Sequence, residues 1–178
     1  MASATDLISS LNQAEQVPRF IFRGANISMA DPKAPEACLQ PIIQILEKST
    51  HFRTTSRVAM TYGVNKLCKI VKKRGISVEV CAQKKVIKSM SKLCREEMKE
   101  LYEVENVKIY SISDPVPYSL WIAETPSNTQ GGFVVHLDGA VKGILSNDSP
   151  QAIDWMEMSY DKIQEGGKLV NESTIQNI

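Results

Sequence analysis

The sequence changes from a helical pattern to a strand pattern at Arg74 and Gly75, and this step constrains the fold more than any other feature. Apolar residues recur at three- and four-residue spacing from Val64 to Val71, which predicts a helix. Gly75 then supplies the residue type that most readily ends a helix in the left-handed conformation. The next segment, ISVEVCA (76–82), alternates apolar and polar residues and predicts a strand. A helix that leads directly into a strand is typical of α/β layers.

Helical and strand patterns alternate along the rest of the chain in the same way. We predict further helices at 4–15, 36–47 and 84–102 and after Pro150, and strands at 19–24, 51–59, 107–112, 118–124, 131–137 and 140–145. Asp138-Gly139 is typical of a tight turn between the last two strands. This order predicts a three-layer α/β sandwich with a mixed sheet, parallel where helices cross over and antiparallel across 118–145.

Size and polarity suggest how the chain is divided. At 178 residues it is long enough to bury a core without a disulfide or metal. We expect an N-terminal appendage of one helix and one strand at 1–29, an α/β domain at 30–167 and a flexible polar tail at 168–178. No stretch approaches ~18 apolar residues, and the N-terminus lacks the basic start of a signal peptide. We therefore expect a cytoplasmic protein without a membrane partner.

The residues that usually carry catalysis or bind metals form no recognisable motif. The cysteines form no CxxC pair and are expected as buried free thiols: Cys38, Cys68, Cys81 and Cys94. Two isolated histidines, His51 and His136, do not make a zinc site. The GxSxG, HExxH, Walker and GxGxxG motifs are missing. We therefore predict no metal, no cofactor and no enzymatic activity.

Charge is balanced over the whole chain but is unevenly distributed. Thirteen of the 21 basic residues, but only three of the 20 acidic ones, lie between residues 53 and 99. This basic region could face an anionic ligand, nucleic acid or an acidic partner, or it could consist of solvated helix faces. Aromatic residues are not interleaved with the basic ones, which argues against binding of single-stranded nucleic acid.

Hydroxyl groups lie between two arginines in the segment Arg53-Thr-Thr-Ser-Arg57. Arginine offers a planar fork of donors that suits a carboxylate or phosphate, so this segment could hold an anion or could be an exposed polar loop. Tyr118 and Trp121 share one predicted strand and could line a pocket or pack in the core. Because they are three residues apart, we expect them on opposite faces of the sheet.

Four segments of the sequence together resemble a known family. They are DPKAPEACLQPIIQILEKSTHFRTTSR, VNKLCKIVKKRGISVEVCAQKKVIKSMSK, NVKIYSISDPVPYSLWIAE and VKGILSNDSPQAIDWMEMSYDKIQEGG. Over roughly residues 30–167 the chain resembles the effector domain of archaeal winged-helix transcription regulators, including the TrmB-like and methanogenesis-regulator groups. The resemblance implies a phospholipase-D-like α/β fold.

The chain departs from those families in two ways. Phospholipase D enzymes carry an HxK motif, whereas here Phe52-Arg53 follows His51 and Leu137-Asp138 follows His136. The resemblance therefore implies a binding domain without catalysis. The regulators also carry an N-terminal winged helix, for which residues 1–29 are too few. We expect that DNA is contacted only indirectly, through a partner or through a winged-helix module that this chain lacks.

The predicted function is that of a non-catalytic, ligand-sensing domain of a transcription regulator. A small and possibly anionic effector would bind where the strands end and would change the geometry of a homodimer. The predicted contact residues are Arg53, Ser56, Arg57, Tyr118 and Ser146. Two alternatives are a nucleic-acid- or protein-binding module that uses the basic region 53–99, and a phosphodiesterase-like hydrolase.

Overall fold

A computed structural model describes residues 4–15, 17–171 and 173–174 of the chain. One eight-stranded sheet lies between two layers of helices, and this confirms the predicted mixed α/β fold. The strands are β1 (Asn26–Met29), β2 (His51–Ser56), β3 (Ser77–Gln83), β4 (Val107–Ile112), β5 (Ser119–Glu124), β6 (Thr129–Leu137), β7 (Ala140–Asn147) and β8 (Lys168–Val170). The helices are α1 (Ala4–Glu15), α2 (Gln40–Leu46), α3 (Thr61–Arg74), α4 (Lys84–Leu93), α5 (Arg95–Glu103) and α6 (Pro150–Glu165).

The strand order in the sheet is β1-β7-β6-β5-β2-β3-β4-β8. Strands β2, β3 and β4 are parallel, because α3 and then α4 with α5 carry the chain back between them. Strands β5, β6 and β7 form the predicted antiparallel meander. The meander joins the parallel strands where β5 pairs with β2, so that Thr54 lies opposite Trp121.

The two faces of the sheet bury separate cores. One core packs α2, α3, α4 and α5 against residues such as Phe52, Val78 and Trp121. The other packs α1 and α6 against residues such as Leu120 and Phe133. Neighbouring residues of a strand thus enter different cores, as the two-residue period of a strand requires. All four cysteines are buried, as predicted.

The predicted chain reversals occur at left-handed residues. Gly75 has φ of 63° and its N–H donates to the Val71 carbonyl over 2.7 Å, which ends α3. Asp138 (φ 52°) and Gly139 (φ 80°) form the turn between β6 and β7. Two positive φ angles in a row match the twist of the hairpin strands.

The prediction of a strand at 19–24 was wrong, because Arg19–Phe22 is a 3-10 helix. The Ile21 N–H donates to the Pro18 carbonyl over 3.0 Å, and the Ile21 side chain is fully buried. The carbonyls of Ile21 and Arg23 accept hydrogen bonds from Asn147 Nδ2 over 2.9 and 3.1 Å. The edge of the sheet is occupied instead by β1, so this segment has no strand to pair with.

The predicted single helix at 84–102 is two helices, α4 and α5, separated at Cys94. A continuous helix of that length would span roughly 28 Å. The following strand, β4, has six residues and spans roughly 20 Å. The break at Cys94 lets α5 turn and pack against both α3 and β4. It also leaves Leu93 62% exposed.

Both ends of the described chain are joined to the sheet. Within residues 1–29, α1 buries Leu7 and Leu11 in the core and β1 pairs with β7. Within the predicted tail 168–178, β8 pairs with β4, and residues 172 and 175–178 lie outside the described ones. The domain limits at 29 and 167 stay a prediction.

Candidate functional site

The predicted ligand residues lie at three different places. Ser56 is the last residue of β2, and Arg57 follows it next to the start of β5, where the Arg57 N–H donates to Ser119 Oγ over 3.2 Å. Tyr118 immediately precedes β5 and so lies at the same end of these strands, but its ring is buried on the α6 face, against Phe133 and Trp155. The other two predicted residues lie elsewhere in the sheet.

Arg53 is held in an ion-pair cluster beneath α6. Its guanidinium contacts Glu124 Oε1 at 2.9 Å, Glu157 Oε1 at 2.7 Å and Asp161 Oδ1 at 3.9 Å. Burial opposes the charge, but the three carboxylates more than offset it, so the pKa of Arg53 is raised. Nη2 of Arg53 is thus engaged by two carboxylates, whereas the buried Nε has no hydrogen-bond partner among the described residues.

Ser146 does not come near the other predicted residues. It pairs with Gly132 in β6, which in turn lies opposite Trp121 in β5, and Trp121 lies opposite Thr54 in β2. Three strand spacings, roughly 14 Å, therefore separate Ser146 from β2. The five residues do not form one continuous site, and their role in ligand binding stays a prediction.

A cavity lies between the sheet and the layer of α2–α5. Strands β2 to β6 form its floor, and the four helices form its walls and roof. Its volume is about 130 Å³. Ser56 is the one predicted ligand residue that lines it, and its hydroxyl is already occupied by the Val58 carbonyl at 2.7 Å.

The lining of this cavity is almost entirely apolar. None of the described charged side chains lines it, and the polar groups are those of Thr54, Ser56, Tyr62 and Trp121. Thr54 Oγ1 donates to the Leu120 carbonyl over 2.8 Å, and Tyr62 Oη accepts from Gln40 Nε2 over 2.7 Å. The cavity is therefore suited to an apolar molecule.

Trp121 Nε1 is a buried donor without an acceptor. The residue is 2% exposed, and among the described residues no atom accepts a hydrogen bond from its indole N–H. Leaving a buried donor unpaired costs about 1–3 kcal/mol, and buried indole groups usually have a partner. A ligand with an acceptor would remove this cost.

Part of the environment of Trp121 follows from its position in the sequence. The spacing from Tyr118 placed it on the opposite face, and the two cores confirm this. The sequence leaves both pocket lining and core packing open, and Trp121 does both: it belongs to the core beneath α2–α5 and it lines the cavity. Its unpaired N–H depends on what surrounds it in space, so no sequence pattern could have revealed it.

The two histidines occupy different environments. His51 lies between Glu79 and Glu124, with nitrogen–oxygen distances of 3.6 and 3.4 Å. Burial lowers the pKa of His136, and the charge of Arg57 adds to this effect.

Among the described residues, no cluster of three or more His, Cys, Asp or Glu side chains is arranged to hold a metal ion. None of the helices in the described ranges is long and apolar enough to cross a membrane.

Comparison with known proteins places residues 35–166 in a family. They match the family described as methanogenesis regulatory protein FilR1, middle domain. No curated protein sequence matches the chain. The match agrees with the resemblance to methanogenesis regulators that the sequence segments indicated.

Solved structures confirm the phospholipase-D-like fold. The archaeal chromatin protein TrmBL2 is similar with a TM-score of 0.60 and 9% identity, over 82% of this chain and 54% of that one. Nuc from Salmonella typhimurium, a phospholipase D family member, gives 0.58 and 10%, over 83% and 99%. NucT from Helicobacter pylori gives 0.58 and 14%, over 82% and 98%. The chain thus spans about half the length of TrmBL2, and these identities establish the fold alone.

Proposed function

Because the chain belongs to the family of the middle domain of the methanogenesis regulatory protein FilR1, we propose that it is the effector-sensing domain of a transcription regulator. The observation that carries this proposal is the apolar cavity with the unpaired Trp121 N–H. Buried polar groups without a partner call for an explanation. Several side chains of the described residues carry one, and among them Trp121 is the one that lines the cavity. An effector that supplies the missing acceptor provides that explanation.

The position of the cavity suggests how binding could be transmitted. Its roof consists of α2–α5, whereas its floor is the sheet, which α6 and α1 brace from the other side. A ligand that favours one position of the roof helices would shift the population toward that position. In a homodimer, such a shift would alter the spacing of two attached DNA-reading modules.

We also propose that the domain is not an enzyme and acts in the cytoplasm. The family is a regulatory one, and neither histidine has a lysine two residues later. A transcription regulator works where DNA is, which supports the cytoplasmic location. Sedimentation equilibrium checks the homodimer, and an assay with a generic phosphodiester substrate checks the lack of hydrolysis.

A thermal-shift screen with a cavity-filling variant tests effector sensing. Gly63 lines the cavity in α3, and a Cβ there would meet only Met60 Cβ, at 3.7 Å. Gly63→Leu should fill the cavity and favour the helix, so the fold is retained. We expect small molecules that raise the Tm of the wild type but not that of Gly63→Leu. Equal shifts in both proteins would contradict the proposal.

DNA contact by the basic region is a second candidate, favoured by where the charges lie. Ten exposed Lys and Arg side chains lie on α3, α4 and α5. These helices also carry acidic residues, and Lys72 pairs with Glu100 at 3.1 Å. DNA binding with a steep salt dependence, weakened in the variant Lys85→Gln/Lys88→Gln, would support this function. A thermal shift with a small molecule and none with DNA would favour effector sensing.

A further inference from the structure

We propose that the cavity takes a small, neutral, mainly apolar molecule with one hydrogen-bond acceptor, which receives the N–H of Trp121. This inference rests on the proposed function and specifies the chemistry of the ligand. Three properties of the cavity support it: the unpaired donor, the absence of charge and the volume.

The donor determines the polar group of the ligand. An indole nitrogen donates one hydrogen bond and accepts none, so its partner is an acceptor such as a carbonyl or ether oxygen. The other polar side chains already make hydrogen bonds within the protein: Thr54 donates to the Leu120 carbonyl, Ser56 donates to the Val58 carbonyl, and Tyr62 Oη accepts from Gln40 Nε2. A ligand with many hydroxyl groups, such as a sugar, would therefore leave most of them unpaired, which is costly in an apolar site.

The lining determines the charge of the ligand. In the part of the chain that the structure describes, no Lys, Arg or His side chain lines the cavity. A carboxylate or phosphate would lose its hydration there without a counter-charge, and that cost is far larger than one hydrogen bond returns. The possibly anionic effector predicted from the sequence therefore does not suit this cavity.

The volume determines the size of the buried part. A cavity of about 150 Å³ lined by Leu, Ile and Phe holds one benzene molecule. At about 130 Å³, this cavity is slightly smaller and encloses about one ring or a short branched chain; because it is partly open, the rest of a substituted ring can extend from it. Two methionines, Met90 and Met98, lie in its wall and can adapt to the shape of the guest.

Three probes of nearly equal shape test the inference: acetophenone, isopropylbenzene and benzoate. They offer a neutral acceptor, no acceptor and a negative charge, respectively. We expect acetophenone to bind about tenfold more tightly than isopropylbenzene, because it pairs the buried donor. Benzoate should bind most weakly of the three. Tighter binding of benzoate, or equal binding of the two neutral probes, would overturn the inference.

The indole N–H signals in a ¹H–¹⁵N spectrum report the contact directly. The chain has two tryptophans, and Trp155, on the opposite face, is an internal control. Trp155→Phe assigns the two signals. Acetophenone should shift the Trp121 signal and leave the Trp155 signal in place. A Trp121 signal that does not move would contradict the proposed hydrogen bond.

The variant Trp121→Phe separates the donor from the shape of the cavity. It should bind isopropylbenzene and lose the preference for acetophenone, and an unmoved Trp155 signal shows that it is folded. If the variant keeps the preference, the donor assignment is wrong. If Trp121→Phe does not fold, the wild-type signal shift and the probe ranking decide.

If wild type binds a sugar or an anion in the cavity that Gly63→Leu blocks, effector sensing stands and this inference fails. If acetophenone binds with the expected preference but binds equally well to Gly63→Leu, then this cavity is not its site, and both effector sensing by this cavity and the inferred ligand chemistry fail.

Discussion

Arg53 and Ser56 belong to the same strand but face opposite layers of helices, and this decides what each side chain can contact. Ser56 faces α2–α5 and lines the cavity, whereas Arg53 faces α6 and binds the carboxylates of Glu124 and Glu157. An arginine that looks available in the sequence is therefore part of the framework that holds α6 on the sheet.

Replacing Arg53 should destabilise the protein. In Arg53→Gln, Glu124 and Glu157 lose their cation, although both are more than a third exposed and water compensates in part. We expect a loss of about 1–2 kcal/mol in the free energy of unfolding, measured by urea titration. Arg57→Gln is the matched control, because Arg57 is exposed, and should change stability by less than about 0.5 kcal/mol. Equal stability of the two variants would contradict this account.

His136 should make stability depend on pH. Its pKa is lowered in the folded protein, so the unfolded chain binds more protons as the pH falls toward the folded pKa. The contribution of His136 is complete above its ordinary pKa, near 6.5, and is lost below it. Wild type should therefore lose more stability than His136→Gln between pH 8 and pH 5 in urea titrations. The other titrating groups are common to both proteins, so equal losses would show that His136 does not contribute.

At the level of elements, the close spacing of β6 and its neighbours depends on two adjacent glycines. A Cβ on Gly132 would collide with the Leu145 carbonyl of β7, which is backbone and cannot move without breaking the strand pairing. A Cβ on Gly131 would lie 2.5 Å from Met156 Sδ of α6, the end of a flexible side chain, and 3.2 Å from the Trp121 carbonyl. The two glycines therefore differ in what their replacement disturbs.

Alanine at these two positions should have unequal effects. Gly132→Ala is expected to cost about 3 kcal/mol or more, and Gly131→Ala about half of that, because Met156 can change rotamer. Thermal unfolding of both variants measures the difference. If Gly131→Ala proves the more damaging, the packing of α6 is tighter than that of the hairpin, contrary to this expectation.

At the level of the whole molecule, the N-terminal segment contributes to the core that α6 also covers. Leu7, Leu11, Val17 and Ile21 are each at most 4% exposed. Burial of a large aliphatic side chain is worth about 1.5–3 kcal/mol, and a domain is stable by only about 5–15 kcal/mol. These four residues together therefore contribute an amount comparable to the whole stability.

Deletion of residues 1–24 should accordingly leave a chain that does not fold stably. Circular dichroism and thermal unfolding check this, and deletion of residues 171–178 is the control that should leave the Tm almost unchanged. A cooperative transition at the wild-type Tm after the N-terminal deletion would instead support the predicted division at residue 29.

The sequence by itself determined the layers, the order of most elements and the mixed sheet. The periods of apolar residues are local properties, and α3, β3 and the β6–β7 hairpin each carry their own end signal, such as Gly75 or Asp138-Gly139. The strand prediction at 19–24 failed because hydrogen bonds from Asn147, far along the chain, hold those residues in a different conformation.

Only the tertiary structure decided the candidate site. The side chains that line the cavity come from four helices and five strands, so its volume depends on all of these elements together. The unpaired Trp121 N–H and the three carboxylates around Arg53 depend on which strands and helices are neighbours, such as β2 beside β5. A local pattern specifies which face of an element is buried, but not which atoms meet it across the core, because those atoms come from residues distant in the chain.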